Sequence, residues 1–243
     1  MARTSGGVAT VWPLIGRDRE LARIREVLAA GASGAVIGGA VGVGKTRLAR
    51  QVLDDAASAG AFVVQARATR SSVGIPLGAF GAYVPAGVQP ASDAGYVQAV
   101  IAALREQAGD REIMLGVDDA QLLDPVSATL LLHVAEHAIG SVIATIRAGE
   151  RCPDAVTELW KDAGCALLEL QVLADAQLVE LIETVLGGPL QHDARRCIVK
   201  RSHGNVLYAQ QLVAQRSRPT RSCAATVSGN SLDSRRRATR CAN

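Results

Sequence analysis

The sequence predicts a three-layer α/β/α fold, an open parallel sheet with helices on both faces, followed by a small helical appendage. Three observations predict it. Short apolar runs alternate with helical patterns as far as residue 172, the arrangement of a sheet whose strands are joined by crossover helices. The stretch Gly38 to Gly44 holds four glycines in seven positions and joins the first apolar run to a helix. After residue 172 the strand-like runs stop and three helical patterns take over.

Taken in order, "RDRELARIREVLAAG" (17–31) places Leu21, Ile24 and Leu28 on one helix face, with Gly31 able to close its end. Ala35-Val36-Ile37 is wholly apolar between glycines and suits a strand buried on both faces. Leu48, Val52, Leu53 and Ala56 recur at helical spacing, so the glycine loop lies between a strand and a helix. Residues 61–66, 113–117, 142–146 and 166–170 supply four more strands. The segment 67–93, rich in Gly, Pro, Ser and Ala, reads as a long connection. Leu178, Leu181, Ile182 and Val185 begin the helical appendage, which continues over 193–202 and 205–215. The expected organisation is a disordered start over 1–12, an α/β domain over 13–172, a helical lid over 173–216 and a disordered, arginine-rich tail over 217–243.

Composition narrows the function. At 49 % hydrophobic and 20 % charged residues the chain can bury one sizeable core and a satellite. No run approaches the ~20 apolar residues of a membrane span, and the first residues lack a secretory leader's apolar run, so a cytoplasmic protein is expected. The five cysteines show no zinc-knuckle or redox-pair spacing and read as reduced thiols. Aromatic residues, at 3 %, are too few to build a base-stacking platform. The net charge of +3 is divided unevenly: residues 217–243 hold six arginines against Asp233, whereas the preceding 216 carry 20 basic and 22 acidic side chains. The body is therefore not a basic nucleic-acid surface.

Gly39-Ala-Val41-Gly42-Val43-Gly44-Lys45-Thr46 fits G-x-x-x-x-G-K-[ST] at every fixed position. Glycines let the main chain curl so that successive amides face phosphate oxygens, and the helix that opens at the lysine adds its positive end. Lys45 would reach the β- and γ-phosphates and Thr46 would ligate Mg²⁺. The alternative, a flexible loop with an incidental lysine, is disfavoured by the flanking strand and helix. A second constellation, "IMLGVDDAQ", ends a hydrophobic strand in Asp118-Asp119 at the sheet's carboxyl edge, where ligands bind in open α/β sheets. Asp118 is the second metal partner. Asp119 stands where an acid could orient or deprotonate an attacking water. The alternative makes both acids helix caps for the run from Val126. A third strand ends near Arg147, either a γ-phosphate sensor or a solvated arginine.

With these residues in view, the chain resembles the STAND-class, AAA+-like ATPase module of large LuxR-type, MalT-like transcriptional regulators. The resemblance rests on "PLIGRDREL", the glycine loop through Arg47, "GIPLGAF", "VDDAQLLDPVSATLLLHV", "ATIRAGE" and "SHGNVLYAQQLV", in order over residues 13–214. It implies a P-loop NTPase with sheet order 5-1-4-3-2, ATP and Mg²⁺ as cofactors, and an adenine pocket that includes Ile15, Gly16 and Arg17. It implies slow hydrolysis used as an ATP/ADP switch, with Arg147 reading the γ-phosphate and a lid rearrangement exposing a surface for self-association or a regulator partner. The chain departs from the family in having Gly204-Asn205-Val206 where Gly-x-Pro is usual, and in lacking a helix-turn-helix after residue 216, so specific DNA binding is not expected of it.

Two other readings compete. His133-Val-Ala-Glu136-His137 spells H-x-x-E-H, a zinc-hydrolase pattern that also needs a third ligand and an open cleft. The tail's Arg235-Arg236-Arg237 could bind nucleic acid nonspecifically, or the tail could be a solvated extension of a truncated fragment.

Overall fold

The computed structural model describes residues 12–87 and 92–217, with the side chains of 215–217 left aside. The expectations for residues 1–11 and for the tail from 218 lie outside the described residues.

Strand β1 (Gly34–Gly39) is buried at all six positions, as its unbroken apolar run between glycines requires. Helix α1 (Asp18–Ala29) precedes it and α2 (Lys45–Ser58) follows it. The chain then alternates: β2 (Phe62–Arg67), α3 (Asp93–Ala108), β3 (Ile113–Asp118), α4 (Pro125–Glu136), β4 (Ser141–Thr145), α5 (Asp154–Lys161) and β5 (Cys165–Leu170). All pairings are parallel and the order is β2-β3-β4-β1-β5, the expected 5-1-4-3-2 seen from the other edge.

Alternation along β1 divides the core. Val36 faces α3, α4 and α5 with Val64, Leu115, Val117, Val142 and Ala144. Ala35 and Ile37 face α1 and α2, where Ile24, Leu48, Val52 and Leu53 close over them. Each strand residue therefore reports its layer by parity, as the pleat dictates.

The segment 67–93 is not the loose connection its composition suggests. Leu77 and Phe80 are fully buried in the α3–α5 layer, a 3₁₀ turn forms at Gly81–Tyr83, and the amide of Leu77 donates to Asp124 Oδ1 at 3.1 Å. The same carboxylate caps α4 through the amide and hydroxyl of Ser127. Asp124, followed by Pro125 in the first turn, is thus the helix cap, and Asp118 and Asp119 are free of that duty.

Beyond β5, α6 (Asp175–Leu186), α7 (His192–Ser202) and α8 (Val206–Ser217) surround their own apolar cluster of Leu173, Leu178, Leu181, Ile182, Ile198, Ala209 and Val213. No helix among the described residues is long and apolar enough to cross a membrane. Cys152, Cys165 and Cys197 are free thiols.

Candidate nucleotide site

The glycine loop leaves β1 and turns into α2 through Gly42 (φ 81°) and Gly44 (φ 103°), left-handed conformations that side-chain-bearing residues rarely adopt. A Cβ added at Gly44 would meet nothing within 4 Å, so the bare side of the loop faces open space. Gly44 is also the N-cap of α2 and offers no side-chain acceptor, which leaves the first helical amides available to an anion. Lys45, 7 % exposed, donates from Nζ to the carbonyls of Gly39 and Ala40, both at 2.8 Å. Two of its three protons are thus held by the loop, and the ammonium is fixed at the loop's centre. Burial lowers its pKa, with the Asp119 charge opposing that shift.

The carboxyl ends of β3 and β4 complete the site. Thr46 Oγ1 donates to Asp118 Oδ1 at 2.8 Å, and Thr145 Oγ1 donates to the same oxygen at 2.7 Å. Thr145 accepts in turn from the amide of Asp119 at 2.9 Å. Because β4 lies between β1 and β3 in the sheet, the hydroxyl at its end is the natural bridge between the loop after β1 and the acids after β3. In the sequence Thr145 is one residue of the apolar strand 142–146, with no motif to mark its role. Its signal is a lone hydroxyl residue in an otherwise apolar run.

Asp119 occupies the left-handed region (φ 57°, ψ 46°), which aims its carboxylate back toward Arg147. Arg147 grips it with both arms, Nε to Oδ1 and a terminal nitrogen to Oδ2, each 3.0 Å. Gln121 adds a bond to Oδ1 at 3.2 Å and accepts from the amide of Arg147 at 3.3 Å. Burial alone would raise the Asp119 pKa, but the hydrogen bonds from Arg147 and Gln121 and the charges of Arg147 and Lys45 outweigh it and hold the carboxyl below its usual range. The Arg147 pKa is correspondingly raised, chiefly by its bond to Asp119. The structure therefore joins the two residues assigned to catalysis and sensing into one bidentate pair.

A cavity of about 470 Å³ runs along the loop, lined by Ile15, Leu173, Leu181, Val206 and Leu207 at one end and by Lys45, Thr46, Asp119 and Arg147 at the other. Its size falls within the range of small-molecule and cofactor sites. Of the three residues assigned to the adenine pocket, Ile15 and Arg17 line this cavity. Gly16 packs under α6, where Gln177 Nε2 donates to its carbonyl at 3.4 Å. Arg17, 5 % exposed, is fully engaged: it bonds the carbonyls of Val43 (3.0 Å) and Gln171 (2.6 Å) and pairs with Glu20 (2.7 Å). Arg47 is held by the carbonyl of Trp12 at 3.1 Å and by Gln51.

The helical appendage meets the loop at Gly204-Asn205-Val206. Asn205 Nδ2 donates to the carbonyl of Val41 at 2.8 Å, its Oδ1 accepts from the amide of Tyr208 and so caps α8, and the amide of Leu207 donates to the carbonyl of Gly42 at 3.2 Å. A side chain on Gly42 would collide with Asn205.

The H-x-x-E-H pattern sits at the far end of α4. The rings of His133 and His137 stack on each other, centroids 3.9 Å apart, and His133 contacts Gln98. Among the described residues no group of three His, Cys, Asp or Glu side chains is placed to hold a metal ion.

Residues 13–199 match the family described as AAA ATPase domain. The chain belongs to this family. Among solved structures, this AAA ATPase domain is similar to the Orc1 protein of Aeropyrum pernix, solved in complex with DNA (TM-score 0.64, 22 % identity, covering 86 % of this chain and 62 % of that one). It is also similar to Cdc6p from Pyrobaculum aerophilum (0.62, 16 %, 88 % and 65 %) and to AMPPCP-bound DnaA from Aquifex aeolicus (0.55, 13 %, 82 % and 61 %). The AAA ATPase domain thus spans less than two thirds of the length of each of these relatives. No curated protein matches the sequence.

Proposed function

We propose that this chain is the nucleotide-binding module of a STAND-class, LuxR-type regulator, binding ATP with Mg²⁺ and hydrolysing it slowly, as a switch. Residues 13–172 form the ATPase body and 173–216 the lid. One observation carries the reading: Thr46 and Asp118, the two residues that would hold the metal, already meet at 2.8 Å beneath a loop whose bare side is open. The pieces fit a magnesium triphosphate, with amides of residues 42–46 and Lys45 to hold phosphate oxygens and hard oxygen donors for the metal. Bound Mg²⁺ would supply charge neutralisation at the phosphates.

The chain's own residues set the pace. A carboxylate engaged by a bidentate guanidinium, with its pKa lowered, is a weak proton acceptor, so Asp119 is poorly disposed to activate water while Arg147 holds it. Arg147 is at the same time the cation free to exchange Asp119 for a more highly charged oxyanion. Slow turnover and phosphate sensing thereby follow from one ion pair. The AMPPCP reported for the Aquifex DnaA structure supports a nucleotide in this fold. Motif order supports the regulator class, and self-association through the lid is the partner this reading implies.

Titrating the 243-residue chain with ATP and ADP, with and without Mg²⁺, tests it. Binding is expected in the wild type and lost in Lys45→Ala. Asp119→Asn is expected to keep binding and to lower hydrolysis further. Equal affinity in wild type and Lys45→Ala would refute the assignment.

A further inference from the structure

Two of the arginines that line the cavity have no side-chain partner among the described residues. Arg50 lies on α2 one turn after Thr46, hence on the same helix face. Arg67 ends β2 and is the register partner of Asp118 in the sheet. Helical period and strand pairing thus set the two guanidiniums on either side of the Thr46–Asp118 contact, although they are 17 residues apart in sequence. Both are exposed, and neither side chain has a hydrogen-bond or ion-pair partner among the described residues. Every other arginine that lines the cavity is engaged: Arg17 by Glu20 and two carbonyls, Arg47 by Trp12 and Gln51, Arg147 by Asp119.

Arg50 and Arg67 are also the cations shared by two adjoining spaces. One is the cavity along the glycine loop. The other is a groove of about 240 Å³ between α2 and the ends of β2 and β3, lined by Thr46, Asp118, Gln65 and Gly116 besides the two arginines. Gly116 bears on the groove's shape: a Cβ there would overlap Leu53, so α2 packs close to β3 and carries Arg50 toward the sheet edge. Asp118 does not neutralise the pair, because among the described residues no carboxylate is within ion-pairing distance of either guanidinium, and its Oδ1 is committed to two hydroxyls. Two forked donors that line the same two spaces beside a metal-type centre, with like charge unrelieved, match a tetrahedral dianion better than a neutral or cationic group.

We infer that Arg50 and Arg67 form a clamp for a phosphate group at the Thr46–Asp118 end of the site. This rests on the nucleotide reading above and deepens it, because it assigns recognition of a phosphate to residues on the far side of the Asp118 strand from Arg147, β2 and β4 being the two neighbours of β3. That phosphate is the terminal group of a bound triphosphate or a free phosphate ion in the adjoining groove.

Calorimetric titration of the full chain separates the cases, with MgADP, with magnesium β,γ-methylene-ATP, and with inorganic phosphate added to MgADP-saturated protein. The variants are Arg50→Ala/Arg67→Ala and Arg50→Lys/Arg67→Lys; both side chains are exposed, so the fold tolerates their replacement. If the clamp reads the triphosphate, the alanine pair weakens the methylene analogue at least 10-fold, leaves MgADP within 2-fold, and the lysine pair recovers part of the loss. If it takes a free ion, the wild type binds inorganic phosphate on top of MgADP and the alanine pair does not. The clamp is overturned if the analogue-to-ADP affinity ratio and phosphate binding are the same in the wild type and the alanine pair. A wild type that binds neither nucleotide would overturn the underlying reading, and the clamp with it.

Discussion

Replacing Asn205 separates two jobs that one amide performs. Its oxygen caps α8 at the amide of Tyr208, and its nitrogen ties the helical appendage to the loop carbonyl of Val41 at 2.8 Å. Asn205→Asp keeps an acceptor for the cap but has no donor for Val41, so it removes the tie alone. Loss of one neutral, solvent-facing hydrogen bond costs about 0.5–1.5 kcal/mol. Asn205→Ala loses the tie and the cap together, about 1 kcal/mol more. For a protein of this size each kcal/mol shifts Tm by roughly 2–4 °C. The expected falls are therefore about 1–6 °C for the aspartate variant and about 3–10 °C for alanine. Thermal unfolding of the intact chain measures them, and hydrogen exchange of the Leu207 amide, which donates to Gly42, locates them. In Asn205→Asp that amide should exchange faster while the rest of α8 stays protected. If Asn205→Asp matched the wild type in both measurements, or if only α8 loosened, the contact would be a helix cap and not a link to the loop.

Substitutions at four other positions probe the remaining contacts. Arg17→Ala removes three bonds to one buried guanidinium and should destabilise the chain by about 2–4 kcal/mol, with Arg17→Lys recovering less than half, as read by urea unfolding. Arg147→Ala should cost about 1–3 kcal/mol at neutral pH. Because the Asp119 pKa is depressed in the fold, that contribution is complete above the unfolded value near ~3.9 and disappears as pH falls through the lower folded value, so the gap between wild type and variant must narrow below about pH 4 in acid unfolding curves. Thr145→Val leaves the amide of Asp119 without its acceptor and should cost about 1–3 kcal/mol, whereas Thr145→Ser should stay close to wild type in the same assay. Phe80→Ala should cost about 3–5 kcal/mol by chemical unfolding, a core-sized loss from a segment that composition would assign to a surface loop.

The glycine loop was legible because its chemistry is local: positive φ at Gly42 and Gly44 needs glycine, and the strand and helix beside them carry their own periodicity. Asp118 was legible for the same reason, as a charge ending an apolar strand. Sheet order was not readable from periodicity, since nothing in the alternation of β1, β2 and β3 says that β4 enters between them; the motif resemblance supplied it. Thr145, Gln121 and Asn205 act through partners 26 to 164 residues away, and no local pattern encodes such a contact. Segment 67–93 misled because its small residues dominate the composition, while two large ones, Leu77 and Phe80, bury themselves under α3–α5. The pairing of Asp119 with Arg147 likewise depends on a left-handed backbone at Asp119, which a sequence does not announce.

Arg17 grips Val43 in the loop, Gln171 directly after β5, and Glu20 in α1 with a single rigid fork. A swing of the α6–α8 unit that started at Gln171 must either shear that fork from one anchor or drag the loop with it. One side chain thus ties the start of the α6–α8 unit to the curvature of the glycine loop.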